Sequence, residues 1–398
     1  MLLTNSMEQI FPAHLDQAPV PNSRVLKPQS LAPGPSIILD VVRFLAALTV
    51  AVGHVSQPYF TTGWSPVLMD FAVGAVSVFF ILSGFMIRYV TVVKYGDLKR
   101  YTADRFARIY SVVLPALAIT IVFQIVATHF NRAYYHANFG GMGHATSHIP
   151  LVQALLSQTW LRDVLRYLGT LAMLSESWFQ DAVPLFNTPF WSLSYECVYY
   201  ALFGIFLYFR GARRIFSWVI LFFLIGPTVF LMFPIWLLGC AAYDAYQEDV
   251  WNKNSLLKLV GFSLLSIVGV HGSHALVEHF HLLRFNISRV DVVSMDFVGI
   301  VTVAVILPLC IATRNLRISE KHIVVRGIKR AAAATFPLYL IHFPLFALLA
   351  ATVPYPHASP LAKLLLLAAA LTLSIVLSAP CDTLKDYLRR LLLQVRPV

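Results

Sequence analysis

The chain has 398 residues, of which 58% are hydrophobic and only 12% are charged. Soluble globular domains carry about 25% charged residues, so this composition excludes an ordinary water-soluble protein and indicates a protein with many membrane spans. The formal net charge of +11 suggests a nucleic-acid partner, but the basic residues lie in short segments between apolar stretches, so we expect no nucleic-acid binding.

The predicted architecture is an all-α, polytopic membrane helix bundle. Residues 1–35 are polar and proline-rich without a signal-peptide core, and we predict a disordered cytoplasmic tail there. Residues 36–385 are predicted to form the membrane domain, and residues 386–398 a basic cytoplasmic tail. Ten apolar segments have about the length that crosses a bilayer: 36–57, 66–90, 109–130, 190–209, 215–231, 233–246, 256–272, 296–313, 332–352 and 361–380.

The distribution of Lys and Arg predicts the orientation of these spans. With both termini in the cytoplasm, 23 of the 30 Lys and Arg residues fall on the cytoplasmic side and six on the opposite side. Two long loops, 131–189 and 273–295, then lie outside. The first contains an amphipathic stretch, 151–174, which we interpret as surface helices. An eleventh span is the alternative, and it would change the charge count.

The first span carries two ionisable residues, Arg43 and His54. At about 100° per residue, eleven residues bring both side chains to one helix face, about 16 Å apart along the axis. Ionisable groups inside a span usually face the bundle interior and mark a site. The alternative is that Arg43 reaches the inner head groups while His54 lies at the outer interface.

The next two spans offer small residues and a pair of arginines. Gly74, Ser77, Ser83 and Gly84 of the second span favour close helix packing. Further along the chain, at the entry to the third span, Arg105 and Arg108 share a helix face. Two such guanidiniums suit a phosphate-bearing ligand, although ordinary positive-inside charge would also explain them.

The fourth and ninth spans contain further polar residues. Glu196 has Ser192 and Tyr199 at helical spacing, and its expected depth matches that of His54. We therefore predict a His54–Glu196 pair in which the carboxylate orients the imidazole, the alternative being a structural pair of Glu196 with an Arg or Tyr. His342 in the ninth span is more typical of a packed structural histidine.

Metal binding is not expected. The four cysteines are widely scattered without CxxC spacing, which favours neither a zinc site nor a disulfide framework. The stretch HGSHALVEHFH, with His271, His274, His279 and His281, has metal-ligand residues but fits the general enrichment of histidine on the predicted outer side.

Six motifs, in order along the chain, resemble the membrane acyltransferase-3 family of O-acyltransferases in its stand-alone form. They are Arg43-x10-His54, FFILSGFMI, the Arg105/Arg108 pair with RIYSVVLP, FWSLSYE, FPIWLLGCAAY and FPLYLIHFP, and the resemblance covers residues 36–385. WSLSYEC lacks a second acidic residue, and the last span only loosely matches the family's ending.

The resemblance implies an enzyme that transfers an acyl group, usually acetyl, from cytoplasmic acyl-CoA to a hydroxyl of a carbohydrate or glycosylated, sometimes lipid-linked, acceptor. Acyl-CoA would be a co-substrate, with no bound cofactor and no metal, and the expected location is the plasma (bacterial inner) membrane. The candidate catalytic residues are His54 as general base, Glu196 and Arg43. The candidate donor-binding residues are Arg105, Arg108, Ser83 and Tyr110, and those near the acceptor are Trp191, Ser192, Ser194, Tyr199 and His342.

Alternatives to direct transfer stay open. A covalent acyl group on His54 or Ser83 would also transfer the acyl chain. A transporter that uses Arg43, Glu196 and His342 as an intramembrane relay is the competing function, and a non-catalytic scaffold or sensor is a third. No internal repeat or pair of corresponding broken helices favours the transporter. The sequence does not indicate the acceptor, the acyl length or the oligomeric state.

Overall fold

The computed structural model describes residues 31–64, 67–93, 97–140, 159–179, 182–248, 253–279, 292–316, 318–319 and 321–394. These residues form helices and connecting turns without a strand, as predicted. The helices are α1 Pro33–Val55, α2 Val67–Val93, α3 Leu98–Phe130, α4 Thr159–Leu171, α5 Trp191–Tyr208, α6 Gly211–Ile225, α7 Phe233–Gln247, α8 Lys253–His279, α9 Val292–Ala312, α10 Ile323–Thr352 and α11 Pro360–Leu393.

Eight helical stretches of the described residues are long and apolar enough to cross a membrane. Helix α5 is counted with the turn before it, and α7 with the short helix Pro227–Leu231. The remaining predicted spans, the fifth and the eighth, correspond to α6 with 15 residues and to the apolar stretch Phe297–Ala312 of α9. The protein is therefore a multi-pass helical membrane protein, whereas the orientation of its termini stays a prediction.

The sequence GPTVFLMFP, which separates the predicted fifth and sixth spans, predicts a tight hairpin or a broken helix, and the structure shows a broken helix. The helix breaks at Gly226, whose φ of 88° lies in the left-handed region, and Pro227 then starts the short helix that leads into α7. A backbone with positive φ suits glycine because other residues lose energy there, so the sequence Gly-Pro ends one helix and begins the next. Residues 227–231 thus belong with α7 and not with α6.

Three helices extend at least nine residues beyond one end of their predicted apolar segments. Helix α3 begins at Leu98, after Asp97 caps it by accepting a hydrogen bond of 2.8 Å from the backbone N–H of Arg100. Helix α10 begins nine residues before its predicted span, at Ile323, and α11 continues to Leu393, through part of the segment predicted as a tail. Hydropathy detects only the part in lipid, whereas Lys and Arg are good helix formers that continue the helix past it.

The amphipathic stretch of the first long loop is helical in its described part. Helix α4 has 13 residues, too few to cross a bilayer that needs about 20. Its Leu165 and Leu168 are exposed while Arg166 is buried, so one face of α4 is apolar. Residues 151–158 lie outside the described residues, and α4 alone does not form an eleventh span.

Helix α2 lies at the centre of the bundle and packs against α1, α7 and α9, while α10 packs against α1, α3 and α11. Glycines bring α2 and α7 into backbone contact. A Cβ atom at Gly84 would lie 2.1 Å from the carbonyl oxygen of Trp236, and one at Gly239 would lie 2.1 Å from that of Ile81. Such small residues let membrane helices approach closely, as predicted for Gly84.

Candidate functional site

A cavity of about 180 Å³ opens between five helices. Arg43 of α1, Arg105 and Arg108 of α3, and Glu196 of α5 contribute its charged groups. Apolar side chains of α2, including Phe79 and Met86, form one wall, and Thr335, Phe336 and Tyr339 of α10 form another. The cavity therefore combines an apolar passage with three guanidiniums and one carboxylate, a combination that accepts an anionic ligand with an apolar tail.

Glu196 is held by two hydroxyl groups inside this cavity. Ser83 donates a hydrogen bond of 2.8 Å to Glu196 Oε1, and Tyr200 donates a second, short hydrogen bond to the same oxygen. Trp236 Nε1 donates to Ser83 Oγ at 3.2 Å, so the cluster extends to α7. Because these bonds satisfy a carboxylate that is costly to place within a membrane, Glu196 has a defined position on the cavity wall.

Two of the three arginines contact neighbouring side chains. Arg43 Nη1 lies 3.4 Å from Asp40 Oδ1, one turn earlier on α1, and Arg105 lies over the ring of Tyr200 at 5.7 Å from its centroid. Arg105 and Arg108 both line the cavity, which confirms that they share a face of α3. Cations outnumber the carboxylate of the cavity, which favours an anionic ligand over a cationic one.

His54 lies deeper in the bundle and pairs with His342. Its Nδ1 is 2.9 Å from His342 Nε2, and both side chains are buried. His54 therefore pairs with His342 and not, as predicted, with Glu196, which bonds to Ser83 and Tyr200 at the cavity. His342, expected as a packed structural residue, is thus the direct partner of the candidate base.

The hydrogen bonds of His342 assign the tautomers of both neutral rings. His342 Nδ1 lies 2.7 Å from the carbonyl oxygen of Leu338, which can only accept, so Nδ1 carries the proton. Its Nε2 then accepts the hydrogen bond from His54 Nδ1–H. The unprotonated nitrogen of His54 is therefore Nε2, the state that a general base requires.

A proline and an asparagine shape α10 beside this pair. Pro344 has no N–H, so it cannot donate to the carbonyl of Leu340, four residues before it. Asn187 Nδ2 instead donates to that carbonyl at 2.7 Å and to Thr120 Oγ1 at 2.8 Å. Asn187 therefore ties the turn before α5 to α3 and to the segment of α10 that carries His342.

One hydrogen bond lies between the cavity and the histidine pair. Ser192 Oγ and Tyr339 Oη are 2.7 Å apart and buried, and both residues line the end of the cavity. The ring of Tyr339 packs edge-on against Phe79, and its centroid is 6.5 Å from that of His342. Ser192 lies one turn from Glu196 on α5 and Tyr339 lies one turn from His342 on α10, so this bond joins the two helices that carry Glu196 and His342.

Aromatic rings cover the other side of the pair. Phe343 packs edge-on against His54 at 5.3 Å, and Phe60 and Phe346 pack around Phe343 and His342. Tyr355 holds the loop after α1 in place by donating a hydrogen bond of 3.0 Å to the carbonyl of Phe60. The two histidines are consequently enclosed by apolar groups on the side away from the cavity.

Several predicted site residues have other contacts. Tyr110, expected near the donor, donates to the carbonyl of Leu171 in α4 at 2.7 Å and is absent from the cavity wall, so it braces a surface helix. Ser194 pairs with Ser175 at 2.7 Å, and Trp191 packs edge-on against Tyr195. Tyr199 is fully buried among Phe80, Phe233 and Trp236. Of the predicted acceptor group, His342 bonds directly to the candidate base, and Ser192 bonds to Tyr339 on the cavity wall.

The described residues contain no group of three His, Cys, Asp or Glu side chains placed to hold a metal ion. Most side chains of the histidine-rich stretch HGSHALVEHFH lie outside this described part of the chain. His271 is described, and its Nδ1 contacts the carbonyl of Ile267 at 2.9 Å. His281 and the side chains of His274 and His279 lie outside what the structure describes.

Two functional residues are not among the predicted ones, although helical spacing indicates both. Tyr200 follows Glu196 by four residues and Tyr339 precedes His342 by three, so each shares a helix face with a residue that was singled out. A search for polar groups at both spacings around every intramembrane ionisable residue would have found them.

Comparison with known families gives one match, and it covers nearly the whole chain. The model of the acyltransferase-3 family (Acyl_transf_3), described as an acyltransferase domain, matches residues 37–379. No curated protein and no solved structure matched the chain. The matched range contains the whole cavity, the Glu196 cluster and the His54–His342 pair. The chain therefore belongs to the acyltransferase-3 family and is a membrane acyltransferase.

Proposed function

We propose that the protein transfers an acyl group, in the simplest case acetyl, from cytoplasmic acyl-CoA to a hydroxyl of a carbohydrate or glycosylated acceptor. The observation that carries this proposal is the arrangement of three arginines around a cavity whose wall includes Tyr339, a neighbour of the buried His54–His342 pair. Acyl-CoA has matching chemistry, since phosphates are followed by a long neutral arm and a thioester. The predicted orientation places the arginines on the cytoplasmic side, and we propose the plasma (bacterial inner) membrane as the location.

The donor would bind with its charged end at the arginines. Arg105 and Arg108 on the predicted cytoplasmic end of α3 pair with phosphate oxygens, and guanidiniums suit such oxygens because they donate two parallel hydrogen bonds. Arg43 lies farther along the same cavity and is available to the pantetheine arm. The thioester then extends along the wall of α2 towards Tyr339 and His54.

The reaction would be a direct acyl transfer. His54 Nε2 removes the proton from the acceptor hydroxyl, the hydroxyl oxygen forms a bond to the thioester carbonyl carbon, and the carbon–sulfur bond breaks. The proton held by His54 passes to the departing thiolate, so CoA leaves as the free thiol. His342 stabilises the charged imidazole by accepting the Nδ1–H bond, since its own Nδ1–H is tied to the Leu338 carbonyl.

The first test is release of free CoA by the purified protein. With acetyl-CoA and a panel of candidate glycans, we expect stoichiometric release of CoA thiol and acetyl ester on one glycan, measured by a thiol assay and mass spectrometry. A carrier that uses the same polar residues would release no CoA. Absence of CoA release with every donor and acceptor tested would contradict the proposal.

Arg108 provides a second test. Arg108→Ala is expected to raise the KM for acyl-CoA about 10- to 100-fold with little change in kcat, because a hydrogen bond to a charged group contributes about 1.5–3 kcal/mol. Arg108→Lys should recover part of this loss, since lysine keeps the charge but not the paired geometry.

The matched control is Arg100→Ala. Arg100 lies on the same helix and the same predicted membrane side but is largely exposed and pairs with Asp97. An equal rise in KM for Arg100→Ala would mean that general surface charge, and not the cavity, attracts the donor.

A further inference from the structure

The contact between Ser192 and Tyr339 separates two parts of the interior. On one side lies the cavity with its arginines, and on the other lies the His54–His342 pair. The two hydroxyls are 2.7 Å apart, Tyr339 is 6% exposed, and Phe79 packs against its ring. The residues that line the cavity include Tyr339 and Ser192 but neither histidine.

The histidine pair is thus enclosed from both directions. Phe343, Phe60 and Phe346 cover it on one side, and the Tyr339 ring with its bond to Ser192 covers it on the other. An acyl group that enters along the cavity meets the Tyr339 ring before it reaches His54. Transfer therefore requires this ring to move.

We propose that Tyr339, latched by Ser192, is a gate that controls access of the acyl group to His54 and selects its length. The gate rests on the proposed function, because it acts on the thioester that the cavity would bind. Rotation of the ring breaks one hydrogen bond and opens a space limited by Phe79, which packs against it. A short acyl group fits this space without further displacement, whereas a longer chain must also displace Phe79.

The closed gate also protects the donor from water. If water reached the thioester beside His54, the same base would remove a proton from water, the water oxygen would bond to the carbonyl carbon, and CoA thiol and a free carboxylic acid would form. An excluded site prevents this side reaction. Loss of the latch should therefore increase hydrolysis relative to transfer, which a purely structural hydrogen bond would not do.

The test compares Tyr339→Phe, Ser192→Ala and the double variant. Each single variant removes the same bond, so each should raise the ratio of acyl-CoA hydrolysis to transfer about fivefold, as expected for one ordinary hydrogen bond. The double variant should show no further increase, because both substitutions act on one interaction. Tyr339→Ala should in addition shift the preference from acetyl-CoA towards butyryl-CoA. The gate proposal would be refuted if the ratio of hydrolysis to transfer were the same in the wild type and the single variants. It would also be refuted if the two increases in this ratio added up in the double variant.

The matched control is Tyr101→Phe. Tyr101 is also buried and donates an interhelical hydrogen bond, of 2.8 Å to the carbonyl of Tyr200, but it does not line the cavity. We expect its ratio of hydrolysis to transfer to equal that of the wild type. A change equal to that of Tyr339→Phe would assign the effect to general loosening of the bundle.

A second measurement keeps the gate testable without catalysis. His54→Cys is placed in a chain whose four native cysteines are replaced, and an anionic methanethiosulfonate, attracted by the arginines, is added from the predicted cytoplasmic side. Labelling of Cys at position 54 should be severalfold faster with Ser192→Ala or Tyr339→Phe than without. Unchanged labelling would refute the gate. Altered labelling of the His54→Cys variants, together with no CoA release by protein that retains His54, would refute the proposed acyl-CoA-dependent transfer alone.

Discussion

Replacement of His54 by alanine is expected to lower the rate of acyl transfer by about 10²- to 10⁴-fold, the range that positioned general bases contribute. In the tautomers assigned from the hydrogen bonds of His342, His54 Nε2 is unprotonated and can therefore accept the proton of the acceptor hydroxyl. No other described imidazole bonds to His342. The KM for acyl-CoA should change little, since the arginines of the cavity are untouched. Steady-state release of CoA thiol with the acceptor present measures both quantities.

Variants of His342 separate a positioning role from a structural one. His342→Ala removes the acceptor of the His54 Nδ1–H bond and should lower kcat without raising KM. His342→Gln should keep more activity, because an amide oxygen can accept the same bond. If both variants lost activity equally, together with their thermal stability, His342 would have a packing role only.

The control for the His54 experiment is His129→Ala. His129 is an exposed residue near the end of α3, and its ring contacts that of Phe130. We expect its activity to match the wild type. Full transfer activity in His54→Ala that still elutes as a folded protein from gel filtration would contradict the proposed mechanism.

The substitution Gly84→Val is expected to have the largest effect on folding. Already the first carbon of a side chain at this position would lie 2.1 Å from the carbonyl oxygen of Trp236 and 3.2 Å from the backbone nitrogen of Cys240. Because backbone atoms of α7 cannot rotate away, the two helices must separate, and overpacking of this kind costs about 1–3 kcal/mol or more. Thermal unfolding in detergent should show a lower Tm and a reduced yield of monodisperse protein.

The shift should also reach the active site. Ser83 precedes Gly84 on α2 and donates to Glu196, so moving α2 away from α7 displaces both the Ser83 hydroxyl and its bond from Trp236. Residual folded Gly84→Val should therefore bind acyl-CoA less well. Its KM measured on the monodisperse fraction checks this consequence.

Gly261→Val provides the matched comparison. Gly261 is also an interior residue of a long helix, but a Cβ at this position meets nothing within 4 Å. The substitution should leave Tm near that of the wild type. A similar loss of stability in both variants would mean that helix propensity, and not the contact with Trp236, explains the effect of Gly84→Val.

Local sequence was sufficient for much of the fold and for the polar residues of the site. Hydropathy located the spans within a few residues, and the three-residue spacing of Arg105 and Arg108 predicted their shared helix face, which in the structure lines the cavity. Helix ends were less accurate: α3, α10 and α11 continue past their apolar segments, although the interruption GPTVFLMFP does begin at the observed break, Gly226. Hydropathy measures contact with lipid, whereas backbone hydrogen bonds decide where a helix ends.

The pairing of side chains across helices could not be predicted in the same way. The sequence placed His54 and Glu196 at the same depth in the membrane. In the structure, Ser192, one turn before Glu196 on α5, contacts Tyr339. Tyr339 lies three residues before His342 on α10. One turn is about 5.4 Å, so an error of four residues in the depth of a span is enough to exchange one hydrogen-bond partner for another.

By itself the sequence determined that this protein is a multi-pass helical membrane protein with arginines, a glutamate and histidines inside its spans, because the cost of placing each residue in lipid is a local property. Only the tertiary structure decided that His54 pairs with His342, 288 residues away, and that Ser192 bonds to Tyr339 on the cavity wall. The relative height of two helices is set by their crossing contacts, such as Gly84 against Trp236, and such contacts between distant segments have no signature within either helix alone.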